Sequence, residues 1–152
     1  AQIVPLSKLK INAGWELLSP DNELSQKFVK YMPALYRANS PGAAFTVKFK
    51  GGILGVYDVI GPKTGIVEVT VDGKKPIEIY RFDKWSNNYR KNTFFIKDLS
   101  DDIHEVSFHV TGKEFDKSEI LKKRNITIAN SEDYNGFGWI ANSLLLVGEL
   151  MD

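Results

Sequence analysis

The residues best equipped for chemistry are two histidines and the acids beside one of them. Asp101-Asp102-Ile103-His104 spells D-x-x-H, a spacing that pairs an acid with a base in some serine esterases. Such a pair needs a nucleophile, and no serine stands in a Gly-x-Ser-x-Gly or Gly-Asp-Ser setting. The four residues read instead as a turn entering a strand, with Asp101-Asp102 in the turn and His104 at the first strand position. His109 alternates away from Phe108 and Val110, which makes it a surface residue. The expectation is that no residue of the chain is catalytic.

Metal chemistry fares little better. His104 and His109 fall on opposite faces of one strand, so they do not share a zinc ion, and the chain has no cysteine. No cofactor is expected. Structural calcium stays open as the alternative, because Asp58, Asp72, Asp83, Asp101 and Asp102 could converge with loop carbonyls at a sandwich edge, although no EF-hand loop is present. Gly51-Gly52 and Gly61-Pro62-Lys63-Thr64-Gly65 look like phosphate cradles but lie between strands with no helix to follow. Both are read as inter-strand turns.

The densest gathering of aromatic and planar polar groups is Tyr80 to Arg90, YRFDKWSNNYR. Aromatic faces that stack on pyranose rings, beside amides and guanidinium groups that bond hydroxyls, are the parts of a sugar site. Trp85, Tyr89, Asn87, Asn88, Arg81, Asp83 and Arg90 are therefore the candidate ligand-binding residues. Two other readings stand beside this one. In the first, Trp85 and Tyr89 close one end of the domain while Arg81 or Arg90 pairs with Asp58 or Asp83. In the second, the loop docks another domain.

The elements that must position this loop are strands. From Pro41 to Phe82, apolar runs are separated by glycine-rich turns, and Phe45, Val47 and Phe49 alternate with Thr46 and Lys48. Separate strands are expected before and after Gly51-Gly52, followed by Val67 to Val71, a tight hairpin turn at Asp72-Gly73, and Ile77 to Ile79. Thr93 to Leu99 and His104 to Val110 extend the series, and Trp139 to Leu150 returns as a last apolar strand whose Leu144, Leu145, Leu146 and Val147 must be buried. Ser40-Pro41-Gly42 reads as a turn, Gly112 to Arg124 as a charged connection with a helical turn, Asn125 to Ala129 as a short strand, and Asn130 to Gly138 as a loop.

This pattern predicts an all-β fold, an antiparallel β-sandwich with jelly-roll closure. Residues 1–152 read as one such domain, because no repeat, low-complexity segment or linker divides them. Residues 1–40 form an irregular N-terminal segment packed on the sandwich, with short strands and a helix capped by Asp21 that presents Leu24, Phe28, Val29 and Met32 before Pro33 stops it.

Twenty basic against nineteen acidic residues leave a net charge of +1, which offers no footprint for a phosphate backbone, and nucleic acid is not an expected partner. No apolar run reaches the length of a membrane helix, so no membrane span is expected.

The runs Phe45-Thr46-Val47-Lys48-Phe49 before Gly51, Gly55-Val56-Tyr57-Asp58, the turn Gly61 to Gly65, the strand ending in Asp72-Gly73, and the RFDKW stretch with Arg90 resemble one family in particular. It is the β-sandwich, galactose-binding-like accessory domain attached to SGNH/GDSL-type hydrolases and carbohydrate esterases of polysaccharide-degrading bacteria. The resemblance covers residues 40–111 and implies a non-catalytic module, because in such enzymes the serine and the D-x-x-H pair belong to a separate α/β domain. It implies carbohydrate or an adjacent catalytic domain as the partner, and a secreted or periplasmic location. A structural docking module without glycan affinity, and a stand-alone hydrolase using His104, are the alternatives.

Overall fold

A computed structural model describes residues 1–39 and 41–152. Ser40, the first residue of the expected Ser40-Pro41-Gly42 turn, lies outside the described residues. The strands are β1 (Gln2–Pro5), β2 (Glu16–Leu17), β3 (Tyr36–Ala38), β4 (Ala44–Ile60), β5 (Ile66–Val71), β6 (Ile77–Tyr80), β7 (Arg90–Ile96), β8 (Ile103–Val110) and β9 (Trp139–Leu150). Two short helices join them, α1 (Glu23–Phe28) and α2 (Lys117–Leu121). Every strand pairing is antiparallel.

The long strand β4 belongs to both layers of the sandwich. Its first half, Ala44 to Lys50, pairs with β8, which continues through β5 to β6. Its second half, Leu54 to Val59, runs between β9 and β7, and β9 in turn carries β1 and β3 on its far side. The expected turn at Gly51-Gly52 is therefore not a turn. The strand runs through it with a bulge, where the register against β9 slips between Gly51 and Ile53. One extra residue changes which face is buried: Phe45, Val47 and Phe49 point inward before the bulge, Leu54 and Val56 after it. A second slip between Tyr57 and Asp58 does the same to β9, whose inward set passes from Trp139 and Ala141 to Leu144 and Leu146.

Between the layers lies an aromatic core. The Phe45 ring stacks on Phe108 at 4.7 Å and on Trp139 at 5.8 Å, and Trp15 closes against Phe45 and Trp139. A second cluster forms where the N-terminal segment covers the outer face of the β9 layer: Leu18, Phe28, Met32 and Leu35 pack on Val59 and Ile140. Helix α1 thus packs on a sheet, as its apolar spacing predicts, although its cap is Asn22, whose side chain accepts from the Leu24 N–H at 2.9 Å, rather than Asp21.

Three further expectations are corrected. Asn125 to Ala129 forms no strand; Asn125 closes the helical turn after α2 in a left-handed conformation. The short strands expected within residues 1–40 do not take in Leu6, which begins a 3₁₀ turn, or Ile11, which makes a single bridge to Phe45. In β9, Leu144 and Leu146 are buried, but Val147 is 43% exposed on the outer face.

Candidate functional site

The stretch from Arg81 to Tyr89 leaves the sheet after β6 and returns in β7, and its shape is set by one carboxylate. Asp83 accepts from the Trp85 N–H at 2.9 Å and from the Ser86 hydroxyl at 3.1 Å, and holds Arg90 bidentately at 2.7 and 3.0 Å. Burial pushes its carboxyl up, but the bonds from Arg90, Trp85 and Ser86 and the Arg90 charge outweigh it, leaving the carboxyl below its ordinary value. This clamp turns Trp85 outward, 49% exposed.

Trp85, Asn87, Asn88, Arg90 and Arg124 line a shallow cavity of about 420 Å³. The Arg124 guanidinium lies 3.7 Å from the Trp85 ring centre and donates to the Asn87 side-chain oxygen at 3.0 Å. Arg124 was not a candidate by sequence. It ends the charged connection beyond β8, and nothing local marks it off from the lysines beside it. What arrives here is a half-open indole, two amides and two guanidinium groups, a set suited to hydroxyl-rich ligands.

The remaining candidates are elsewhere. Arg81, expected on the contact surface, is buried at 6% exposure and forms a bidentate pair with Asp58 at 2.7 and 2.8 Å. Its guanidinium also donates to Asn92 and lies over the Phe94 ring. Tyr89 turns to the opposite side of the loop, where its ring sits on the backbone of Gly61. So Trp85 and Tyr89 do not share a cavity, and both arginine–aspartate pairs weighed as the alternative are formed, Arg81 with Asp58 and Arg90 with Asp83.

His104 is buried, facing inward with Val106 and Phe108, and its acid is Asp72 rather than Asp101. Nδ1 donates to the Asp72 carboxylate at 2.7 Å and Nε2 to the Ser100 carbonyl at 2.8 Å, with the Ser100 hydroxyl farther off at 3.3 Å. These acceptors raise the imidazole above its ordinary pKa, and the same bond, with the Glu105 N–H, lowers that of Asp72. While it donates to both of these acceptors the ring has no free lone pair to receive a proton from a serine. Four of the five carboxylates considered for calcium, all but Asp102, are likewise engaged apart from one another: Asp58 by Arg81 and by the Trp139 indole N–H, Asp72 by His104, Asp83 by Arg90, and Asp101 by Lys50 at 4.0 Å. Among the described residues, no group of three or more His, Cys, Asp or Glu side chains gathers as a metal site.

No protein-family model and no curated protein matches the chain. Solved structures do. A two-domain esterase (CEX) active on acetylated mannans, co-crystallised with mannopentaose, superposes with a TM-score of 0.53 at 13% identity, covering 100% of this chain and 34% of the esterase. A family two carbohydrate esterase from Cellvibrio japonicus gives 0.52 at 12% identity, covering 99% of this chain and 34% of the enzyme. The CBM36-1 domain of a multidomain xylanase from the hindgut metagenome of Trinervitermes trinervoides gives 0.50 at 8% identity, over 94% of this chain and 93% of that domain. The chain spans about a third of the length of the esterases it matches. At these identities what is shared is the fold: the chain is an antiparallel β-sandwich of the kind that makes up part of these carbohydrate esterases and nearly the whole of that xylanase module.

Proposed function

We propose that the chain is a non-catalytic, carbohydrate-binding accessory domain of a polysaccharide-acting esterase of the SGNH/GDSL type, working outside the cytoplasm in a secreted or periplasmic enzyme. The observation that carries this reading is the Trp85 cavity, where a half-exposed indole stands among Asn87, Asn88, Arg90 and Arg124 on a clamped, preorganised loop. The likeness in fold to a portion of a two-domain esterase and of a family two carbohydrate esterase supports it. Calorimetry of the chain against manno-, xylo- and cello-oligosaccharides tests it. Binding to at least one is expected, weakened about tenfold or more in Trp85→Ala. Unchanged affinity in the variant removes Trp85 from the site, and no binding to any of them removes the glycan reading.

A structural docking role has its own observation. Ile3, Leu145, Gly55 and Phe95 stand in register across β1, β9, β4 and β7, with Ile3 56% and Phe95 47% exposed and the Phe95 ring resting on Gly55. On this reading a separately expressed catalytic domain forms a stable complex with the chain, and Phe95→Ser weakens it.

A further inference from the structure

On the far side of the Asn87–Tyr89 turn, the loop after β4 and the loop before β9 enclose a recess of about 440 Å³, with Arg37, Lys63, Tyr89, Asn135, Trp139 and Ile140 in its wall. Its charge is one-sided. Arg37 and Lys63 are the charged residues lining it, and among the described residues no carboxylate does so. Acids stand beside it: Glu23 and Asp133 line an adjoining cavity of about 560 Å³ that shares Arg37, Lys63 and Tyr89 with the recess, and Glu16, 59% exposed, reaches an Arg37 Nη at 3.5 Å. The Arg37 Nε is buried and bonds no acceptor in the protein. A buried guanidinium donor without an acceptor is costly in a folded chain, and because Nε is closed off from solvent a ligand oxygen meets it only when the Arg37 side chain shifts.

We propose that this recess binds a uronate, the carboxylate-bearing form of a sugar residue, with the carboxylate between the Arg37 and Lys63 side chains and the ring hydroxyls facing the Tyr89 phenol and the Asn135 amide. The proposal deepens the carbohydrate reading and rests on it, but it uses a different cavity from that of Trp85. Two cations select for the acid. The polar groups beside them ask for more than charge, because a bare anion leaves the phenol and the amide unused. Tyr89 supplies a donor there: burial raises its phenol above the ordinary value, against a hydrogen bond from the Lys63 backbone and the charge of Arg37.

Calorimetry of the full chain with glucuronate, galacturonate, glucose and acetate tests this. One of the uronates is expected to bind at least about tenfold more tightly than glucose or acetate. Lys63→Gln, at an exposed position, and Arg37→Lys, which keeps the charge and removes the planar guanidinium fork, are each expected to weaken that binding about tenfold. Equal affinity for glucose, equal affinity for acetate, or uronate binding unchanged in both variants overturns the proposal. Trp85→Ala separates the two sites. Loss of neutral oligosaccharide binding with uronate binding intact supports both, whereas uronate binding lost in Trp85→Ala but kept in Lys63→Gln places the acid at the wrong cavity.

Discussion

Arg81 and Asp58 form a bidentate ion pair inside the sandwich, their side chains 7% and 0% exposed, and the Asp58 oxygen that meets Arg81 Nε at 2.7 Å also accepts from the Trp139 indole N–H at 2.8 Å. The pair ties the start of the Arg81–Tyr89 loop to the middle strand β4 and to the first residue of β9. Removing one partner leaves the other charged and buried. Arg81→Met is expected to lose about 3–5 kcal/mol of stability in urea unfolding. Adding Asp58→Asn to it recovers part of that loss, because the orphaned carboxylate disappears while Trp139 keeps an acceptor. A double variant no better than Arg81→Met would show that packing rather than charge sets the cost.

That pair also marks how far the sequence could be read. The alternation of Phe45, Val47 and Phe49, the Asp72-Gly73 turn and the apolar return at Trp139 announced antiparallel strands, and they form. Gly51-Gly52 misled because a glycine pair signals a bulge as readily as a turn; the change of inward parity, from Phe49 to Leu54, was the distinguishing sign. At the loop, residue type could nominate Trp85 and Arg81 alike. Only the three-dimensional register puts Asp58 beneath Arg81 and brings Arg124, thirty-nine positions after Trp85, over the indole. Arg37 and Lys63 share a recess for the same reason, since β3 pairs with β9 and the turn after β4 bridges at Thr64 to Gly138, just before β9.

Gly51 and Gly148 face each other at the crossing of β4 and β9, with φ of +154° and +149°. A Cβ on Gly51 would stand 2.2 Å from the Val147 carbonyl oxygen, and one on Gly148 2.0 Å from that of Lys50. Gly51→Ala and Gly148→Ala are each expected to cost about 2 kcal/mol or more, through strain and displaced backbone together. Gly73, at φ +68° with open space around it, isolates the conformational share: Gly73→Ala is expected to cost about 1 kcal/mol. Thermal unfolding of the three variants checks the order.

His104 and Asp72 predict a bounded pH range of stabilisation. The raised His104 pKa contributes stability that is complete below the ordinary value of 6.5 and is lost as pH rises through the folded value above it. The lowered Asp72 pKa contributes stability that is complete above 3.8 and is lost as pH falls through the folded value below it. Wild type should therefore exceed His104→Gln by the most between these two ordinary values, with the gap closing on either side. Urea midpoints measured across that range and beyond decide it. A gap that grows above neutrality would mean the ring is buried in its neutral form.

Lys117 is a lysine of the interior, 4% exposed, whose ammonium donates to the carbonyls of Pro62, at 2.8 Å, Tyr134, at 3.2 Å, and Gly136, with the Phe137 ring centre 4.2 Å away. It fastens together the two loops that enclose the uronate recess without lining that recess itself. Burial, with the charge of Lys63 added, lowers its pKa from 10.5 to about 8. Between those values the unfolded chain binds a proton that the folded chain has shed, so stability relative to Lys117→Met is expected to rise as pH climbs from about 8 towards 10.5. The same linkage reaches the ligand. A carboxylate seated beside Lys63 cancels part of the repulsion on Lys117, so saturating glucuronate is expected to raise the Lys117 pKa, read by nuclear magnetic resonance titration of its side chain. In Lys63→Gln the starting value is already higher, and about tenfold more glucuronate is needed to raise it further. A Lys117 pKa indifferent to glucuronate in the wild type would place the acid away from Lys63.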